Sequence, residues 1–101
     1  MSTGIRTVGI VGTGVIGTSW TALFLSKGLR VLVADPAPGA KEQFVRTLSS
    51  MWPALESLGL SEGASMKNYD FVGSSLNGRY EELDYVQEVS SRASLLLGVP
   101  Y

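Results

Sequence analysis

The chain has 101 residues, 45% of them hydrophobic, and a formal net charge of −1. That size holds one domain at most, and a near-neutral balance gives no reason to expect nucleic acid or an anionic membrane as partner. Cysteine and histidine are both absent, which excludes disulfides, thiol chemistry and cysteine metal sites and removes the commonest general base and metal ligand.

Residues 1–6 lead almost at once into a strand. They lack the basic region, apolar core and cleavage site of a leader, and no apolar run approaches the roughly 20 residues that span a bilayer. A cytoplasmic chain is expected. Val8, Ile10 and Val11 read as a buried parallel strand, apolar on both faces. Gly12-Thr13-Gly14-Val15-Ile16-Gly17 follows. Ile16, Trp20, Leu23 and Phe24 then recur at helical spacing as far as Lys27, with Gly28 as the stop. Trp20 and Phe24 are expected to pack on the sheet. Val31-Leu32-Val33 reads as a second strand ending at Asp35, and Pro36-Ala37-Pro38-Gly39 breaks it.

A second helix is expected over residues 40–58, with Phe44, Leu48, Met51, Trp52, Leu55 and Leu58 near one face and Gly59 at its end. Pro53 predicts a kink, or a short second helix beginning at that proline. Residues 61–65 read as a loop, Phe71-Val72 as a short third strand, Leu76-Asn77-Gly78 as a turn and Tyr85-Val86 as a fourth strand. Glu81, Glu82, Lys67 and Arg79 read as solvated surface charges. Residues 90–101 match no element.

The order strand, glycine loop, helix, strand, acid is the one a dinucleotide requires. Gly12 allows the chain to turn sharply off the first strand. Gly14 leaves room for backbone N–H groups to approach a pyrophosphate. Gly17 lets the helix lie close to the sheet. The helix start, with Thr13, Val15 and Ile16 around it, offers unpaired N–H groups and the positive end of a dipole. Asp35, eighteen residues after Gly17, is placed to accept hydrogen bonds from the adenosine ribose and to repel a 2′-phosphate. No arginine follows to neutralise such a phosphate, so NAD is expected rather than NADP. The fold class is α/β, a Rossmann-type parallel sheet with flanking helices, incomplete at about four strands. Two plainer readings stay open. The glycines could serve a tight turn in another α/β protein, and Asp35 could be a turn former before Pro36.

Three segments carry a family resemblance: Gly12-Thr13-Gly14-Val15-Ile16-Gly17-Thr18-Ser19-Trp20, Asp35-Pro36-Ala37-Pro38-Gly39-Ala40 with Trp52-Pro53-Ala54-Leu55-Glu56-Ser57-Leu58-Gly59-Leu60, and Asp84-Tyr85-Val86-Gln87-Glu88. Over residues 1–88 the chain resembles the NAD-binding N-terminal domain of the 3-hydroxyacyl-CoA dehydrogenase family, in its carnitine dehydrogenase and lambda-crystallin branch. The resemblance implies hydride transfer from a 3-hydroxy substrate, L-carnitine or a 3-hydroxyacyl-CoA, to NAD. It implies a small-molecule substrate, and a homodimer only for the full-length family architecture.

Residues 89–101 depart from that pattern and read as a divergent tail; family members carry a glutamate four positions after Glu88, where this chain has Arg92. Valine codons begin with GT, as introns do, so a translated intron beginning at Val89 is one expected origin. The family's catalytic histidine and its polarising glutamate match no position here. No catalytic and no metal-binding residue is assigned. The expected function is the NAD-binding part of a 3-hydroxy dehydrogenase, with a non-catalytic NAD-binding or structural relative as the alternative. A weaker third reading, an FAD-binding start, is permitted by the loop and Asp35 but not favoured by the other segments. A four-stranded sheet is also expected to leave an edge and an apolar face uncovered, which favours marginal stability.

Overall fold

A computed structural model describes residues 6–89. The chain runs β1 (Thr7–Val11), α1 (Gly14–Ser26), β2 (Arg30–Ala34), α2 (Ala40–Leu58), β3 (Tyr69–Gly73), a 3-10 turn (Tyr80–Glu82) and β4 (Tyr85–Glu88). The four strands form one sheet in the order β3-β2-β1-β4, every pairing parallel. Val8 stands opposite Val31 on one side and Tyr85 on the other. The expected α/β class and strand number are therefore present, and the third strand is longer than Phe71-Val72.

Both faces of the sheet are apolar, which is why β1 and β2 read as continuous hydrophobic runs rather than alternating ones. Val8, Ile10, Val31 and Val33 point to one face and meet Ala22 and Leu25 of α1 and Phe44, Leu48 and Trp52 of α2. Leu32 and Ala34 point to the other face, where they meet Leu76. Both helices thus lie on the first face. Among the described residues the second face is covered only by the connection 74–84. Gly9 makes room for it, since a Cβ there would come within 2.8 Å of both Leu76 and Leu83.

Helix α1 departs from the expected stripe. Trp20 and Leu23 are 40% and 42% exposed, and the buried residues are Gly17, Thr18, Thr21, Ala22, Leu25 and Ser26. The helix is wedged between the sheet and α2, and small side chains let both neighbours approach. Trp20 instead stacks on Phe24 at 5.7 Å, and Phe24 meets Tyr85 edge-on at 6.5 Å. One consequence is that the buried Thr18 hydroxyl finds no hydrogen-bond partner among the described residues. Helix α1 stops as expected at Gly28, whose φ is 86°. The Gly28 N–H bonds the Leu25 carbonyl and the Leu29 N–H bonds that of Phe24, which together close a Schellman motif.

Helix α2 continues through Pro53 as one element, so no second helix starts there. Pro53 and Ser49 are both exposed, so the helix bond that the proline removes lies on the solvent side of α2. Phe44, Leu48 and Trp52 are buried as expected, but Leu58 is 83% exposed, because the sheet ends before the helix does. Phe44 packs edge-on against Tyr69 at 5.0 Å.

Two polar devices fix the remaining strands. The Asp84 carboxylate accepts the N–H groups of Arg6 and Thr7 at 2.8 and 2.9 Å, while its own N–H bonds the Thr7 carbonyl. Those bonds clamp the start of β4 to the start of β1 and hold the Asp84 carboxyl below its usual range. The second device corrects the reading of Arg79 and Glu82 as merely solvated. Arg30 pairs with Asp70 at 3.3 Å and with Glu82 at 3.2 Å, and Arg79 pairs with Glu82 and with Asp70. The network ties β2 and β3 to the connection that covers the second face.

Glu82 is held at about 2, first by the hydrogen bond from Arg79 and then by that from Arg30. Its folded value lies below the ordinary 4.5, so its contribution is complete above that value and disappears as pH falls toward 2. Acid unfolding followed by circular dichroism between pH 5 and 2, values on the order of that titration window, is expected to be shallower in Glu82→Gln than in the parent chain.

Candidate cofactor site

The strand order β3-β2-β1-β4 reverses beside β1. The chain builds outward from β1 to β3 and then returns to place β4 on the opposite side of β1. In open parallel sheets, ligands bind at the carboxyl ends of the strands at such a switch point. A cleft of about 1030 Å³ lies there, lined by residues 11–16, 35–40, Gln43, Glu88 and Val89. That volume is at the upper end of the roughly 300–1,000 Å³ usual for small-molecule sites.

Six of the seven residues singled out from the sequence, Gly12, Thr13, Gly14, Val15, Ile16 and Asp35, line this cleft. Gly17 does not line it and is buried behind it. Gly12 turns the chain with a φ of 97°, its N–H bonded to the Ala34 carbonyl at 2.8 Å. A Cβ on Gly12 would come within 1.8 Å of the Val89 carbonyl, and a Cβ on Gly17 within 2.0 Å of the Gly12 carbonyl. Both glycines are therefore demanded by backbone packing. Gly14 differs. Its φ is 55°, and nothing lies within 4 Å of where its Cβ would stand, so its absent side chain leaves open space on the cleft side.

The first bond within α1 runs from the Gly17 N–H to the Thr13 carbonyl at 2.8 Å. The N–H groups of Gly14, Val15 and Ile16 consequently have no acceptor in the helix. Thr13 occupies the N-cap position, where a threonine ordinarily accepts such an N–H, yet it makes no side-chain cap bond. The open amides and the helix dipole together make an anion site built from backbone. Among the described residues no lysine or arginine lines the cleft, and Asp35 and Glu88 supply only negative charge.

Asp35 follows directly on β2, its N–H bonded to the Gly73 carbonyl at 2.9 Å. One carboxylate oxygen, Oδ2, accepts the Thr13 N–H at 2.7 Å and the Thr13 hydroxyl at 2.6 Å. The other, Oδ1, accepts the Ala37 N–H at 2.9 Å, so the acid is also a turn former ahead of the second helix. Burial pushes the Asp35 carboxyl up, but the bonds from the Thr13 hydroxyl, the Ala37 N–H and the Thr13 N–H outweigh it and hold the group below its usual value. Gln43, Glu88 and Val89 were not among the residues read from sequence as site residues. Gln43 lies one turn into α2, and Glu88 and Val89 become neighbours of the loop only through the β1–β4 pairing.

A dinucleotide asks for an anion cradle beside an acid. Unbonded amides at the start of α1, open space at Gly14 and a carboxylate at the end of β2 meet both needs. Comparison with known proteins agrees. Residues 7–90 match the family described as 3-hydroxyacyl-CoA dehydrogenase, NAD binding domain. L-carnitine dehydrogenase of Oceanobacillus iheyensis is 42% identical over 96 residues, covering 94% of this chain and 31% of that protein. L-carnitine dehydrogenase of Nocardiopsis dassonvillei is 50% identical over 84 residues, covering 83% of this chain and 25% of that protein. The crystal structure of (S)-3-hydroxybutyryl-CoA dehydrogenase PaaH1 from Ralstonia eutropha superposes with a TM-score of 0.68 at 26% identity, over 94% of this chain and 36% of that one. The chain thus spans about a quarter to a third of the length of the curated relatives it matches.

Because the Asp35 carboxyl sits below its ordinary 3.8, it stays ionised at neutral pH. NAD affinity measured by calorimetry is expected to be flat from about pH 8 to 5 and to fall only as Asp35 protonates below about pH 4.

Proposed function

Because the chain belongs to the 3-hydroxyacyl-CoA dehydrogenase family through its NAD-binding domain, we propose that it forms the cofactor-binding part of an enzyme oxidising a 3-hydroxy substrate, with L-carnitine ahead of a 3-hydroxyacyl-CoA. NAD is the family's cofactor, and when bound it supplies the hydride acceptor. The single observation that carries the site assignment is the pairing of the open amides of Gly14, Val15 and Ile16 with Asp35 across one cleft.

In this reading the amides hold the pyrophosphate and Gly14 gives it room to approach. Gly12 and Gly17 set the bend that aims the amides, Thr13 lines the cleft between loop and acid, and Asp35 receives the adenosine ribose. Two carboxylates, with no cation lining the cleft among the described residues, disfavour a third phosphate and favour NAD over NADP. The cofactor-binding unit runs through Val89, which lines the cleft and packs on Gly12, one residue beyond the boundary at 88 expected from the sequence. The protein acts in the cytoplasm on a small molecule. Among the described residues no helix is long and apolar enough to cross a membrane.

A second reading is a chain that binds NAD without turnover, since within these 101 residues no histidine is present to serve as the base that the family resemblance implies. Charge-assisted hydrogen bonds to the ribose are worth enough that Asp35→Ala is expected to weaken NAD binding roughly 10- to 100-fold and to shrink the preference over NADP. Calorimetric titration of both cofactors checks this; unchanged affinity in the variant would refute the ribose role. The purified chain is expected to yield no NADH from L-carnitine or a 3-hydroxyacyl-CoA in a spectrophotometric assay, and measurable turnover would overturn the second reading.

A further inference from the structure

The hydrogen bonds already made by Asp35 bear on how the ribose could reach it. An ionised carboxylate offers about four acceptor positions. Three are filled in this structure, by the Thr13 N–H, the Thr13 hydroxyl and the Ala37 N–H. A ribose binding through both hydroxyls brings two more donors. Five donors exceed four positions, so one existing bond has to break.

Two of the three are locked in the backbone. The Ala37 N–H lies between Pro36 and Pro38, whose rings fix the local φ. The Thr13 N–H lies between Gly12, whose own N–H is bonded to Ala34, and the Thr13 carbonyl, which receives the Gly17 N–H. Only the Thr13 hydroxyl hangs on a rotatable side chain. It is 2.6 Å from Oδ2, the short separation of a charge-assisted O–H···O⁻ bond. Thr13 is also 93% buried, being 7% exposed, so water does not readily replace this bond. The hydroxyl makes this contact in place of the helix cap that its position would ordinarily provide.

We propose that the Thr13 hydroxyl is a competitor built into the cofactor site: it occupies the Asp35 carboxylate in the free protein and is displaced when the adenosine ribose binds through both hydroxyls. This inference rests on the reading of Asp35 as the ribose acceptor. It makes Thr13 a residue that sets NAD affinity without contributing attraction of its own. It also predicts a dependence on the ligand. A ribose with one hydroxyl fewer brings a single donor, fills the fourth position and displaces nothing.

The test is calorimetric titration of the full chain and of Thr13→Val and Thr13→Ser with two ligands, NAD and NAD bearing a 2′-deoxyadenosine ribose. Thr13→Val keeps the shape and removes the donor. It is expected to bind NAD roughly 5- to 10-fold more tightly, on the scale of the net contribution of one hydrogen bond, with the 2′-deoxy ligand changed by less than about twofold. Thr13→Ser, which keeps a hydroxyl, is expected to behave like the parent. Equal changes for both ligands, or weaker NAD binding in Thr13→Val, would overturn the competition and leave Thr13 as a loop-shaping residue. If Thr13→Val gives no cooperative melt, Thr13→Ala takes its place in the same cycle. Asp35→Ala separates the two levels. Unchanged NAD affinity there defeats the site reading itself, whereas weakened affinity there with no ligand-dependent gain at Thr13 defeats only the competition.

Discussion

Everything at the cleft depends on one close approach of backbone to backbone. The Gly12 carbonyl lies where a Gly17 side chain would be, and the Val89 carbonyl lies where a Gly12 side chain would be. Three segments, the end of β1, the first turn of α1 and the residue after β4, meet with no room for a Cβ. That packing lets α1 begin immediately at the end of the strand. It also points the helix N-terminus, with its unbonded N–H groups, at the cleft rather than at solvent. Any side chain at Gly12 or Gly17 pushes those segments apart, and the anion site then loses its aim before it loses any contact.

The electrostatics follow from the same geometry. Among the described residues the cleft wall has no lysine or arginine, so within them negative charge on a ligand is met by amide dipoles, and the two acids act against excess charge. Backbone dipoles held in place by packing need no reorganisation when a phosphate arrives. The carboxylate at Asp35 is likewise held before binding, by Thr13 and Ala37. The cleft is thus ordered in advance at its amides, and the Asp35 carboxylate is already hydrogen-bonded.

Much of this was legible in the chain because the constraints are local. A glycine that must adopt positive φ, a strand that must be apolar on both faces, and an acid that must end the second strand each leave a mark at a fixed spacing. The stop at Gly28, the extent of α2 and the four strands were readable for that reason. The misreadings share one cause, which is tertiary context. Trp20 and Leu23 look like a core stripe, but α1 lies between two partners and buries Thr18, Thr21 and Ala22 instead. Pro53 looks like a second helix start, yet on the exposed side of α2 its missing N–H is tolerated within one helix. Arg79 looks like a free surface charge until β2 and β3 bring Arg30 and Asp70 beside it. Glu88 and Val89 join the cleft only through the β1–β4 register, which no local pattern specifies. The expectation that residues 90–101 match no element concerns positions outside the described residues.

The central claim is that NAD is held by the first-turn amides of α1 and by the acid after β2. The most direct measurement is a two-dimensional amide NMR titration of the isotopically labelled chain with NAD. The account predicts saturable shifts concentrated at Gly14, Val15 and Ile16 and at residues 35–43, with Lys67, Asp70 and the remainder of the far end of the sheet unmoved. Shifts centred on that far end, or none at the loop under saturating NAD, would contradict it.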